Sequence, residues 1–197
     1  EFTRNGLEAL REPLESGSIT IARADRTVRF PADFQLIAAM NPCVCGFHGD
    51  ARRECCCAPD QVRRYQNRIS GPFLDRIDIT LSLPRERVSL TNDTDATTED
   101  TAAVRKRVQA SVEFRCQRGA VANARLNHNQ GRQWCWPDRR GRDLLQHAAE
   151  RFSLSLRACD RTLRVARTIA DLDHSEFVKK QHVSESLAIS RPGLREH

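Results

Sequence analysis

The sequence contains few aromatic residues and no long apolar segment. Aromatic side chains make up 6% of the 197 residues, with a single Met and a single Tyr. No apolar run approaches the roughly 18 residues that a membrane-spanning helix requires, which argues against a membrane protein. The chain opens at Glu1 without a basic segment followed by an apolar one, so neither a secretory signal nor a natural start is visible, and we expect the chain to begin inside a longer protein.

Negative charge is the scarcer sign in this sequence. The 32 Lys and Arg residues outnumber the 26 Asp and Glu residues, which gives a formal net charge of +6. Such an excess permits binding to a polyanion such as nucleic acid, because basic side chains neutralise phosphates and release counterions. The basic residues are mostly Arg and are scattered along the chain, so charge alone permits this partner without requiring it.

The eight Cys residues are unevenly placed, and five of them lie between Cys43 and Cys57. In a small secreted protein this number would suggest disulfides, but an export signal is lacking. A reducing cytoplasm is therefore the expected setting.

The cysteine-rich segment offers two thiolate pairs with the spacing Cys-x-Cys. The first pair is Cys43 and Cys45, and the second is Cys55 and Cys57, with one of the three consecutive cysteines left over. Four thiolates suffice for tetrahedral zinc, although Cys-x-x-Cys is the commoner spacing. His48 is an alternative ligand. The sequence thus leaves two alternatives for this segment, a structural zinc site and free thiols in a flexible loop.

Apolar periodicity predicts an α/β arrangement for the first part of the chain. Gly6–Ser16 has helical spacing, whereas Ser18–Phe30 alternates on both sides of a polar turn and predicts a β-hairpin. Phe34–Met40 is a continuous apolar run, typical of a strand buried on both faces of a parallel sheet. Pro59–Arg68 follows as a helix and Ile77–Leu83 as a second strand.

The remainder of the chain predicts helices. A polar segment rich in Ser, Thr, Asn and Asp marks a linker. Val104, Val108 and Val112 then recur every four residues, which is helical spacing. The pattern resumes over three later segments, which are Asp138–Phe152, Ser155–Leu172 and Val178–Ile189. The predicted organisation is an α/β part at residues 1–84, a linker at 85–101, an all-helical domain at 102–191 and a tail at 192–197.

Four strings in this order resemble the ComM/YifB family of AAA+ ATPases, which is related to magnesium chelatase. They are Leu7–Gly17, Ala38–Cys43, Ser70–Asp78 and Leu163–Asp171. The resemblance implies the C-terminal part of an AAA+ α/β core with a β-hairpin insertion, followed by a helical lid domain.

In this family the nucleotide lies between the subunits of a ring. The family's phosphate-binding loop and its Asp-Glu pair precede the region that matches here, and no Gly-x-x-x-x-Gly-Lys-Ser/Thr pattern occurs in the 197 residues. The resemblance therefore implies ATP and Mg²⁺ as cofactors of a full-length hexameric ATPase, and an inactive fragment.

The resemblance assigns roles to two residues of the α/β part. Asn41 matches sensor 1, whose uncharged amide contacts the γ-phosphate or the attacking water. Arg76 matches the arginine finger, which enters the neighbouring subunit's site and neutralises charge on the γ-phosphate. From the residues alone, Asn41 is a turn residue before Pro, and Arg76 is a surface ion-pair partner of Asp75 or Asp78.

Arg157 matches sensor 2, at the start of a lid helix. Arg161 and Arg164 follow at helical spacing, so the three residues form one stripe that, without the resemblance, predicts a solvated basic face. Only Arg157 lies in the first turn, where the resemblance implies that it contacts nucleotide in its own subunit.

The hairpin resembles the pre-sensor-1 hairpin that lines the pore of ring helicases. Arg23 and Arg26, near its tip, are therefore candidates for contact with DNA phosphates, although exposed charge on a turn usually serves solubility. The leading functional hypothesis is a hexameric motor that moves along or remodels branched DNA. The alternatives are a chelatase motor that drives magnesium into a porphyrin, and a non-enzymatic zinc-loop adaptor.

Overall fold

The two strands of the predicted hairpin are the only strands among the described residues, and the other regular elements are helices. The structure is a computed structural model that describes residues 2–83, 99–119 and 121–190. Its chain divides into two units, residues 1–77 and 78–197. Within the described ranges, no helix is both long and apolar enough to cross a membrane.

The chain begins with two short helices where the sequence predicts one. These are α1, Arg4–Ala9, and α2, Arg11–Ser16, which meet at Leu10. The Thr3 side chain accepts a hydrogen bond from the N–H of Gly6 and so caps α1. Gly17 ends α2 in the left-handed region at a φ of 66°, as expected for a residue that closes a helix.

The hairpin prediction is confirmed. Strand β1, Ser18–Arg23, pairs antiparallel with β2, Arg26–Pro31, in the register that places Ile21 opposite Val28. A two-residue turn, Ala24–Asp25, joins the strands.

The two other predicted strands are wrong for the described structure. Phe34–Met40 and Ile77–Leu83 form no ladder there, and most of their apolar side chains are exposed, with Ile37 at 87% and Leu83 at 86%. The physical reason is that a strand acquires both its hydrogen bonds and its burial from neighbouring strands, and the described residues offer none to these segments. The Thr80 N–H bonds instead to the carbonyl of Ile189 at 2.8 Å.

Two helices follow the cysteine-rich loop in the first unit. Helix α3 spans Pro59–Gln66, two residues shorter than predicted, and the one-turn helix α4 spans Gly71–Leu74. The Ser70 side chain caps α4 by accepting a hydrogen bond from the N–H of Phe73, which is buried.

The second unit is helical, as predicted, and its core forms along one central helix. Its helices are α5 (Thr101–Arg118), α6 (His128–Trp134), α7 (Arg139–Phe152), α8 (Leu156–Leu172) and α9 (Lys180–Ser190), with a short 3₁₀ turn at Asn123–Arg125. Helix α8 contributes Ala166 and Ala170 to a buried cluster with Val178 and Val183. Burying small residues along α8 lets neighbouring helices approach closely, which gives this unit a core of its own.

Candidate functional site

Four cysteine sulfurs converge in the loop between Met40 and α3. The Sγ atoms of Cys43, Cys45, Cys55 and Cys57 all lie within 4.8 Å of one another. The separation is 3.3 Å from Cys43 to Cys45, 3.6 Å from Cys43 to Cys55, and 3.5 Å from Cys45 to Cys55. These are the four residues that the sequence predicts as metal ligands, and among the described residues no other such group of potential ligands occurs.

The loop also shows which potential ligands lie outside the group. Cys56 is the left-over cysteine, and its side chain is exposed. His48 contributes no ring nitrogen to the cluster; its backbone N–H donates instead to the Sγ of Cys43, with an N···S distance of 3.3 Å. The donor set is therefore four sulfurs, without imidazole.

The close approach of the four sulfurs shifts the pKa values of their thiols in different directions. The backbone N–H of Phe47, together with the neighbouring sulfurs of Cys43 and Cys55, lowers the pKa of Cys45 to about 5. The backbone N–H of Cys57 acts to lower the pKa of Cys55, but burial and the adjacent sulfurs outweigh it and raise that pKa to about 12. Burial and the Cys45 sulfur act to raise the pKa of Cys43, but the backbone N–H of His48 and the Cys55 sulfur outweigh them and lower it. Two of the thiols therefore ionise more readily than a free cysteine, and their negative charge opposes ionisation of their neighbours.

Asn41 lies immediately before this loop and is exposed. Its neighbour Pro42 accepts a hydrogen bond from the side-chain amide of Gln66, at the end of α3, over 3.2 Å. Since the segment Phe34–Met40 forms no strand here, the expectation that Asn41 ends a buried strand is wrong. No hydrogen bond joins Asn41 to Arg76 in the described part of the chain.

Arg76, just beyond α4, is held by two acceptors. Its guanidinium donates to the carbonyl of Pro72 at 2.6 Å and to a carboxylate oxygen of Glu15 at 2.5 Å. Its side chain is 15% exposed, whereas that of Glu15 is 47% exposed. The alternative of an ion pair with Asp75 or Asp78 is therefore replaced by a pair with α2, from 61 residues earlier.

Arg157 occupies the first turn of α8 and is exposed, and the rest of its stripe is less solvated than predicted. The Arg161 side chain is only 10% exposed and lies 3.9 Å from a carboxylate oxygen of Asp78. Arg164 donates to the carbonyl of Ala124 at 2.5 Å. Burial raises the pKa of Asp78, while the positive charges of Arg161, Arg164 and Arg157 oppose that rise. The stripe faces a carboxylate and a carbonyl as well as water.

Arg23 and Arg26 face each other across the end of the hairpin, as a directly opposed cross-strand pair. Both are exposed. Like charges at this spacing repel one another, and an anion placed between them would relieve that repulsion.

Comparison with known proteins matches both parts of the chain to one family. The model of "Magnesium chelatase, subunit ChlI" matches residues 1–90, and that of "Magnesium chelatase, subunit ChlI C-terminal" matches residues 98–190. Similar relatives include the uncharacterised YifB of Escherichia coli (strain K12), 41% identical over 95% of this chain, and Competence protein ComM of Haemophilus influenzae, 40% identical over 95%. An uncharacterised protein of Mycobacterium bovis is 38% identical over 99%.

The chain belongs to the magnesium chelatase ChlI-like family. The resemblance to ComM and YifB is confirmed by these matches. The chain spans 36 to 39% of the length of these three relatives, somewhat more than a third.

In this ChlI-like chain the structure also shows a buried polar network that sequence reasoning missed. Asp171 accepts two hydrogen bonds from Arg118, at 2.6 and 3.0 Å, and one from Asn123 at 2.7 Å. Arg167, which is fully buried, donates to the same carboxylate at 3.1 Å. The available signal was an Arg and an Asp four residues apart among the apolar residues of one helix face, inside the string Leu163–Asp171 that carries the resemblance.

Proposed function

We propose that this chain is the sensing and trans-acting part of a longer, ring-forming AAA+ ATPase that remodels branched DNA. The observation that carries the proposal is the 40% identity to Competence protein ComM over 95% of the chain. ATP and Mg²⁺ are the expected cofactors of the full-length protein, a hexameric ring is the expected assembly, and DNA taken up in natural transformation is the expected substrate. The chain contains no phosphate-binding loop, so by itself it is expected to be inactive.

Arg76 is the proposed arginine finger. Its backbone follows the capped helix α4, and its side chain is restrained by the carbonyl of Pro72, so its guanidinium is already ordered before it meets a nucleotide. An ordered guanidinium loses less rotamer entropy when it binds a phosphate. Inserted into the neighbouring subunit's site, it would stabilise the negative charge of the transferring γ-phosphate.

Asn41 and Arg157 are the proposed sensors. The Asn41 amide adds hydrogen-bonding capacity without negative charge, which suits a residue near a γ-phosphate or an attacking water. Arg157 lies in the first turn of α8, where the helix dipole and the guanidinium both favour an anion. Each side chain would couple the presence of the γ-phosphate to the conformation of the unit in which it lies.

The hairpin is the proposed DNA contact. Arg23 and Arg26 are exposed and opposed at its tip, where a DNA phosphate would relieve their mutual repulsion. The chain's net charge of +6 supports the same class of partner.

A chelatase motor is the second candidate. Both family models describe magnesium chelatase subunit ChlI, and they match residues 1–90 and 98–190. The finger and sensor chemistry would be the same in that machine, because ATP hydrolysis would drive insertion of magnesium into a porphyrin. The two candidate functions therefore differ in the partner on which the motor acts, DNA or a porphyrin, and not in the role of Arg76.

The test is ATPase activity of the full-length protein with and without forked DNA. Arg76→Ala should lower kcat by about 10³-fold or more while nucleotide binding stays nearly intact. Arg63→Ala is the matched control, because Arg63 is an exposed Arg of α3 whose partner Asp60 is equally exposed. Mixing Arg76→Ala with a variant that lacks the phosphate-loop lysine should restore activity, since mixed rings contain complete interfaces.

Two outcomes would contradict the proposal. If mixed rings form and activity does not return, Arg76 does not act across an interface. If forked DNA neither binds in a salt-dependent manner nor stimulates hydrolysis, while a porphyrin-binding subunit does stimulate it, the chelatase alternative is correct.

A further inference from the structure

We propose that Cys43, Cys45, Cys55 and Cys57 bind one structural Zn²⁺ ion as a closed tetrathiolate site. This site does not depend on the proposed ATPase function, because its evidence is the geometry of the loop itself. The ion would join the two ends of a segment that contains no regular secondary structure between Pro42 and Ala58.

The sulfur separations fit a metal cluster better than disulfides. A tetrahedron with Zn–S bonds of about 2.3 Å has S···S edges of about 3.8 Å, and the three separations here are 3.3, 3.6 and 3.5 Å. A disulfide needs an S–S bond of about 2.05 Å. Outward shifts of a few tenths of an ångström would thus bring these three sulfurs to tetrahedral spacing, and the Cys57 sulfur lies within 4.8 Å of each of them. Forming a disulfide between any two of the three would instead require them to approach by more than an ångström.

The loop has no apolar core that would otherwise hold the sulfurs together. Between Pro42 and Ala58, Cys43 is the only buried residue, while the apolar side chain of Val44 is 70% exposed. Long segments without secondary structure are uncommon in compact proteins unless something organises them. A metal clip that closes such a loop is the kind of cross-link that stabilises it most.

The backbone around Cys43 and Cys45 forms a tight turn that holds an amide donor against a cysteine sulfur. Gly46 lies in the left-handed region at a φ of 82°, directly after Cys45, and turns the chain back toward Cys43. The turn brings the His48 N–H to the Cys43 sulfur at 3.3 Å. Amide donors of this kind stabilise the negative charge of metal-bound thiolates and orient them.

The donor set selects the metal and its role. Soft thiolates favour Zn²⁺ over Mg²⁺ or Ca²⁺, which prefer oxygen. Four protein ligands complete the tetrahedron and leave no open position for water or substrate, so the ion is structural. Four thiolates on Zn²⁺ carry a net charge of −2, and Arg52 and Arg53 of the same loop supply positive charge nearby in sequence.

The first test is metal analysis of the protein purified under reducing conditions without chelator. We expect about one zinc per chain in the wild type, and a loss of most of it in Cys45→Ser and Cys57→Ser. Cys56→Ser is the matched control, because Cys56 is in the same run of cysteines but is exposed and outside the cluster, and it should keep its zinc. Less than about 0.2 zinc per chain in the wild type, or equal loss in Cys56→Ser, would overturn the site.

A second test needs no variant and so is independent of folding defects. The metal-free wild type is titrated with Co²⁺, which should bind at one equivalent and give the intense near-ultraviolet charge-transfer bands and visible d–d bands of a tetrahedral tetrathiolate. Zinc should then bleach these bands at one equivalent. Weak, octahedral-type absorption would refute four-thiolate coordination, and iron as the native metal would refute the assignment to zinc.

Discussion

Removal of the Asp171 carboxylate should destabilise the helical unit more than any exposed substitution in it. Asp171 is 1% exposed and receives hydrogen bonds from Arg118, Asn123 and Arg167. In Asp171→Ala, the fully buried guanidinium of Arg167 loses its only carboxylate among the described residues. Removing one partner of a buried ion pair costs about 3–5 kcal/mol, because an uncompensated charge is left behind.

The lower end of that range is the better expectation for this site. Arg167 also donates to the backbone carbonyls of Ser175, at 2.5 Å, and Glu176, at 2.8 Å, and these acceptors remain in the variant. Arg118, whose side chain is 16% exposed, can recover some hydration. We therefore expect a loss of about 3 kcal/mol, a large part of the roughly 5–15 kcal/mol that stabilises a typical domain.

The assay is urea unfolding followed by far-ultraviolet circular dichroism. With a slope of about 1.5 kcal/mol per molar urea, a loss of 3 kcal/mol lowers the midpoint by about 2 M. Asp160→Ala is the control, because Asp160 lies on the same helix and is exposed, and it should change stability by less than about 0.5 kcal/mol. If Asp171→Ala costs less than about 1 kcal/mol, the network does not stabilise the helical unit as a buried ion-pair network should.

Three further predictions concern pH, nucleotide and DNA. Burial acts to raise the pKa of Asp171, but hydrogen bonds from Arg118 and Asn123, with the charge of Arg167, outweigh it and lower that pKa. The stability that this carboxylate contributes is therefore present above its unfolded pKa of about 3.9 and is lost as pH falls through the folded value. Acid unfolding should show this loss in the wild type and not in Asp171→Ala, and parallel acid profiles would refute it. Calorimetry should detect no micromolar ATP binding to these 197 residues, because sensor side chains supply only part of the phosphate contacts; measurable micromolar binding would contradict this. Arg23→Ser combined with Arg26→Ser in the full-length protein should reduce the slope of log affinity for duplex DNA against log salt by about 2, and an unchanged slope would remove the hairpin from the DNA contact.

Local sequence patterns were sufficient for the elements that hold themselves together. The hairpin β1–β2 satisfies its own hydrogen bonds, so alternation around a two-residue turn predicted it. Helices α7 and α8 likewise follow their apolar periodicity. Phe34–Met40 is different: its composition is that of a buried strand, but a ladder and burial come from neighbouring strands, which its own residues do not specify.

Within the candidate site, chemistry was easier to predict than arrangement. The Cys-x-Cys spacing identified the two thiol pairs and left Cys56 over, but it did not show that the two pairs come together in space. Helical spacing placed Arg161 on a solvated face, whereas its side chain is 10% exposed beside Asp78. Arg76 was assigned neighbours in sequence as partners, and the contact it makes is with Glu15 of α2. Local sequence patterns do not determine contacts between side chains that are distant in sequence.

The Glu15 contact bears on whether Arg76 can act as a finger at all. To reach a nucleotide in another subunit, the guanidinium must leave Glu15, whose side chain is 47% exposed and can be rehydrated. Ion pairs with an exposed partner contribute about 1 kcal/mol or less, whereas a finger that accelerates hydrolysis 10³- to 10⁵-fold gains about 4–7 kcal/mol in the transition state. The contact is therefore too weak to prevent the proposed role. Because it occupies the guanidinium until a γ-phosphate competes for it, Glu15 would hold Arg76 ordered between turnovers and release it at little cost.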